Sequence, residues 1–159
     1  IGKGDYGTAG DRYQALIIPA GGAAKPLRSW HSDGVQSYSD EESRLHMKGR
    51  EVFNFVQKEV PGSIQRCLDK NELELGDIGM FALHQGSKYM LTQMAKRLGI
   101  PDGKLAVNIE KYGNTVSSSV PMVLEEVLDG VDDIKPAPIL VSGFGVGLSW
   151  ATNVIWTDR

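Results

Sequence analysis

Apolar residues recur along this chain in two rhythms. Val52, Phe53, Val56, Val60, Ile64, Cys67 and Leu68 repeat at three- and four-residue spacing, which predicts an amphipathic helix with one face in the core. The helical pattern starts near Asp40, and Pro61-Gly62 interrupts it, so either a kink or two joined helices is expected there. Short apolar runs bounded by turn residues predict strands at 13–19, 79–85, 105–108, 138–141 and 149–156. A second helix is expected over 87–98, closed by Gly99 and Pro101, and a third over 116–128. Residues 1–12 read as a leading loop or fragment boundary, 20–39 as a long turn-rich stretch and 71–77 as a turn. Helices alternating with strands predict an α/β fold, a layered mixed β-sheet covered by helices.

Candidate chemistry enters at three turns beside these strands. The run 79–85 ends on His84-Gln85, at the carboxyl end of its strand, where open α/β sheets place ligands. The second turn is Tyr112-Gly113-Asn114-Thr115 and the third is the glycine-rich 143–147. An imidazole N–H and an asparagine amide aimed at one point would form a neutral two-donor hole for a developing oxyanion. Glycines in the third turn would let backbone N–H groups approach a reacting carbonyl. Other motifs are incomplete. Leu148 stands where a dinucleotide loop needs its third glycine, and 147–151 lacks the last glycine of a hydrolase nucleophile elbow.

Composition narrows the classes. With 159 residues the chain is long enough for one domain or one half of a larger unit. A net charge of −3 argues against a nucleic-acid partner. No apolar run suits a membrane span or signal peptide, and one cysteine, Cys67, closes no intrachain disulfide; a cytoplasmic location is expected. Cys67 lies on the apolar stripe and reads as a packing residue. His31, His46 and His84 have no metal-type spacing, so no metal is expected. The chain opens Ile1-Gly2-Lys3 without a methionine, which reads as a fragment boundary.

Taken together, His84-Gln85, Tyr112-Gly113-Asn114-Thr115 with Ser119-Val120-Pro121, 143–150, and the run from Met47 through Gly49 to Phe53 resemble the carboxyl-terminal half of a β-ketoacyl-acyl-carrier-protein synthase III, a thiolase-fold condensing enzyme. The motifs keep the order and separation of that family over roughly 13–157. The resemblance implies a thiolase-like domain over 13–159 and a decarboxylating Claisen condensation of an acyl-CoA with malonyl-acyl-carrier protein in fatty acid synthesis. His84 and Asn114 match the catalytic pair, and the Val146 N–H matches a second oxyanion donor. Phe144, Gly145, Gly147 and Ser87 match residues lining the active site, Ser87 standing where many relatives carry an asparagine. Met47, Gly49 and Phe53 match the pantetheine tunnel, and Lys96 and Arg97 a carrier-protein docking patch. CoA and phosphopantetheine thioesters would be substrates, with no resident cofactor. The family's nucleophilic cysteine has no counterpart here, so an amino-terminal half is the implied partner, this chain alone should be inactive, and the complete enzyme should be a homodimer. The alternatives are a non-catalytic thiolase-fold partner subunit and an acyltransferase of secondary metabolism.

Overall fold

The computed structural model describes residues 1–23, 25, 41–130 and 137–156. Most of the stretch 20–39, with His31, and the expected helix start at Asp40 lie outside the described residues.

One mixed sheet organises the rest. Strands β1 (Asp5–Thr8), β4 (Met80–Leu83), β5 (Ile139–Gly145) and β6 (Ser149–Ile155) lie in the order β1-β6-β5-β4. Only β4 and β5 run parallel; β6 is antiparallel to both its neighbours. Two-residue strands β2 (Leu16–Ile17) and β3 (His46–Met47) pair separately. Helix α1 (Gly49–Lys70) packs against β1, β5 and β6, while α4 (Ser119–Asp129) packs against β4 and β5. Between them in sequence lie α2 (Lys88–Leu98) and the single-turn α3 (Ile109–Tyr112).

Side-chain alternation along the strands divides the interior into two clusters. Phe81, Leu83, Leu140, Phe144 and Val154 join Phe55, Val56, Ile64 and Leu68 of α1. On the other side Ala82 and Ile139 meet Val123 and Val127 of α4. The helical stripe predicted from spacing is therefore core apart from the half-buried Phe53, and Cys67 is fully buried within it.

The structure corrects several expectations. Segment 1–12 is not all loop: 5–8 forms edge strand β1 against β6. Its sequence lacks apolar alternation because pairing and ion pairs hold it, the buried Asp5 receiving Arg66 and Lys70. A Cβ on Gly7 would collide with the Trp150 indole, which is why this strand carries glycine. Residues 10–15 form a 3-10 turn, leaving only Leu16–Ile17 of the expected strand 13–19. Pro61 neither splits nor ends α1, which is one 22-residue helix starting at Gly49. Burial of Val56, Val60, Ile64 and Leu68 on both sides of Pro61 outweighs the loss of one backbone donor. The run 105–108 makes one bridge, Leu105 to Phe81, and no further strand. Glycines 143 and 145 belong to β5, so the third turn is Val146–Leu148 and leads into a strand, not into the helix of a nucleophile elbow.

Candidate active site

His84 sits one residue past β4. Its backbone N–H donates to the Ser142 carbonyl at 2.8 Å, extending the parallel ladder and fixing where the imidazole departs. The half-buried ring meets Phe144 edge-on, centroids 5.2 Å apart at 89°. Nδ1 lies 2.6 Å from Ser119 Oγ. Burial pushes the imidazole below its ordinary pKa, and the Val116 backbone offsets part of that shift. At neutral pH the group is an uncharged imidazole with one N–H.

Gln85 builds the floor beneath it. Fully buried, it donates from Nε2 to the carbonyls of Leu83 (2.8 Å) and Ala106 (3.2 Å). Its Oε1 accepts the N–H groups of Asn108 (3.0 Å) and Ile109 (3.2 Å). These four bonds replace the ladder that the expected strand at 105–108 would have made. They fasten the segment leading to the second turn against the end of β4.

That turn begins at Gly113, whose φ of 70° favours glycine. Asn114 is exposed, and its Oδ1 accepts the Val116 N–H at 2.9 Å, which leaves the Nδ2 hydrogens as donors. Val116 itself has φ 56°, a costly conformation for a β-branched residue. It is held there from both ends, because its carbonyl accepts the Ser119 backbone N–H; the Ser119 hydroxyl lies 2.9 Å from the same carbonyl. Three hydrogen bonds therefore link Asn114 to Val116, Val116 to Ser119 and Ser119 to His84.

Phe144 brings the third turn to the same histidine. Beyond it Gly145 is extended, Val146 is exposed, and Gly147 and the buried Leu148 are left-handed, with φ 72° and 52°. Ser87 does not join the histidine network: its hydroxyl caps α2, accepting the Met90 N–H at 3.1 Å. Phe53 stacks on Tyr89 in the first turn of α2, centroids 5.8 Å apart. Gly49 is exposed at the start of α1. Met47 lines an open cavity of about 580 Å³ with Tyr13, Ile17, Pro19, His46 and Lys48, apart from His84. Lys96 and Arg97 are exposed in the last turn of α2, where cations suit the helix dipole. Among the described residues no three His, Cys, Asp or Glu side chains are grouped to hold a metal.

Sequence reasoning missed Gln85 as a structural clamp and Ser119 as the partner of His84. Gln85 had a signal, a polar residue directly after an apolar run. Ser119 had a weaker one, the third of consecutive serines opening a helix.

A family model described as 3-oxoacyl-[acyl-carrier-protein (ACP)] synthase III C terminal matches residues 68–156. The β-ketoacyl-[acyl-carrier-protein] synthase III of Lactococcus lactis subsp. lactis (strain IL1403) is 34% identical over 167 residues, covering 92% of this chain and 51% of that protein. A crystal structure of a 3-oxoacyl-(acyl-carrier-protein) synthase III superposes with a TM-score of 0.82 at 33% identity, over 97% of this chain and 47% of that one. The priming β-ketosynthase of the R1128 polyketide biosynthetic pathway gives 0.81 at 27% identity, over 98% and 44%. The chain spans about half the length of the curated relatives it matches. The fold is the α/β, thiolase-like half of these proteins.

Proposed function

Because this chain belongs to the 3-oxoacyl-[acyl-carrier-protein] synthase III C-terminal family, we propose that it supplies the decarboxylation half of a condensing enzyme's active site in fatty acid synthesis. A cysteine outside this chain takes an acyl group from a CoA thioester, dividing the reaction at a covalent intermediate. Malonyl-acyl-carrier protein then enters, and loss of CO₂ leaves an enolate whose oxygen lies between His84 Nε2 and Asn114 Nδ2. The carbanion attacks the acyl-cysteine, whose carbonyl oxygen meets the Val146 N–H, and the cysteine thiolate leaves. Charge that appears only as the C–C bond breaks is met by donors already fixed in place. Phe144, Gly145 and Gly147 line that space, with Ser87 at its edge holding α2.

The observation that carries this reading is the hydrogen-bonded chain from Asn114 through Val116 and the Ser119 backbone N–H to the Ser119 hydroxyl beside His84. It fastens the far side of each polar group and leaves Nε2 and Nδ2 to act. Met47, Gly49 and Phe53 would receive the pantetheine arm, and Lys96 and Arg97 would steer an acidic carrier protein by charge. No resident cofactor is needed, since the CoA and phosphopantetheine thioesters are substrates. An amino-terminal half completes the enzyme as a cytoplasmic homodimer, without which this chain is inactive.

In the complete enzyme, His84→Ala or Asn114→Ala should cut malonyl decarboxylation by about 10²- to 10³-fold, the usual loss for one oxyanion donor, and leave cysteine acylation intact. Radiolabelled CO₂ release and acyl-enzyme mass measure the two steps; normal CO₂ release in either variant removes the role. The close superposition on a polyketide priming ketosynthase supports a second reading, acyl transfer in secondary metabolism. Turnover across a panel of acyl-CoAs and acceptors separates the two.

A further inference from the structure

We propose that Ser119 is a positioning residue that fixes the tautomer of His84: its hydroxyl donates to Nδ1, so the ring's one proton stays on Nε2. The inference deepens the reading above and rests on it for its functional meaning. At 2.6 Å, Nδ1 and Ser119 Oγ share a hydrogen, and it can come from either side. If Nδ1 donates, Nε2 keeps only a lone pair and cannot serve an oxyanion. If the hydroxyl donates, Nε2 carries the N–H.

Three features of the site favour the second arrangement. The buried Ser119 hydroxyl already accepts the Gln85 N–H at 3.3 Å, so it can give its hydrogen to Nδ1 without leaving its oxygen lacking a donor. The competing acceptor, the Val116 carbonyl at 2.9 Å, has a backbone partner in the Ser119 N–H and does not need the hydroxyl. Finally, Ser119 is the first residue of the 11-residue helix α4. The positive end of that helix favours a lone pair on the adjacent nitrogen and disfavours an N–H there. The lowering of the His84 pKa by burial agrees, since it keeps the ring neutral. Nε2 then lies near Gly86, 3.6 Å from where a Cβ on that residue would stand, so a small residue there leaves the donor room.

The test is the nitrogen spectrum of His84 in the ¹⁵N-histidine-labelled chain, identified by loss of its signals in His84→Ala and recorded well above the imidazole's titration. The expected pattern is a protonated-type Nε2 and an unprotonated-type Nδ1. In Ser119→Ala the Val116 carbonyl becomes the nearest partner of Nδ1, and the pattern should reverse. Ser119→Thr, which keeps a hydroxyl, should restore it. A protonated Nδ1 in the parent overturns the proposal without any variant, and so does an unchanged pattern in a folded Ser119→Ala. In the complete enzyme, Ser119→Ala should lower kcat for malonyl decarboxylation by at least tenfold with KM nearly unchanged; a KM effect alone counts against it. If the spectra behave as expected while His84→Ala decarboxylates normally, the tautomer assignment stands and the oxyanion reading falls.

Discussion

Two hydrogen-bonded polar clusters are built on this sheet from similar groups, and they are put to opposite use. Beneath α1, the Asp5 carboxylate receives Arg66 (3.1 and 2.9 Å) and Lys70 (2.9 Å). Nearby the Ser63 hydroxyl donates to Thr152 at 2.9 Å, and Thr152 pairs with Ser142 at the same distance. That cluster is closed, its polar groups engaged with one another. The cluster at the end of β4 is open. His84 Nδ1 and Asn114 Oδ1 are engaged, while neither Nε2 nor Nδ2 has a hydrogen-bond partner among the described residues. Closure gives stability; fastening only one side of each group leaves its other side unengaged, which the proposed oxyanion role requires.

Undermining the open cluster should have the largest effect on stability. Gln85→Ala strands the Asn108 and Ile109 N–H groups and the Leu83 and Ala106 carbonyls, buried or half-buried, and thermal or urea unfolding should show a loss of about 3 kcal/mol, several unmet bonds at roughly 1–3 kcal/mol each less what water recovers. The same variant should lose decarboxylation, because the segment carrying Asn114 is no longer anchored. If stability and activity both stayed near the parent's, the clamp would be a misreading. Breaking the closed cluster should cost less and leave the chemistry alone. Thr152→Val keeps the shape and removes the central hydroxyl, with an expected loss of about 1–3 kcal/mol and an unchanged His84 spectrum. A shifted His84 spectrum would mean that the two clusters communicate through Ser142, whose carbonyl holds the His84 backbone.

Acid should separate them by pH. Burial alone would raise the Asp5 pKa, but hydrogen bonds from Arg66 and Lys70 outweigh it and hold the carboxyl well below the usual range. Its contribution is therefore full above the ordinary value of 3.8 and is lost as pH falls through the lower folded value. His84 acts in milder acid. Its folded pKa is below the ordinary 6.5, so below that pH the unfolded chain binds the extra proton more readily and stability declines with falling pH. Melting temperature against pH should flatten near and below 6.5 in His84→Ala and below 3.8 in Asp5→Asn. Parent-like slopes in both variants would refute these assignments.

Much of this was legible in the chain, and the residues say why. The stripe from Val56 to Leu68 was readable because a helix buries one face at a fixed period. His84 at a strand end and Asn114 in a glycine turn were readable because their chemistry and position are local. Edge strand β1 was not, since Asp5-Tyr6-Gly7-Thr8 owes its conformation to β6 and to cations on α1. The continuity of α1 through Pro61 was likewise decided by the surface it packs on.

The order and type of most main elements, the one-sided burial of the long helix and the places of His84 at a strand end and Asn114 in a turn followed from the sequence, because propensity and periodicity act over a few neighbouring residues. Tertiary structure alone decided that Gln85 clamps a distant segment and that Ser119, 35 residues from His84, is its partner. Hydrogen-bond partners are chosen by distance in space, and that distance exists only after the sheet and its two flanking helices have packed.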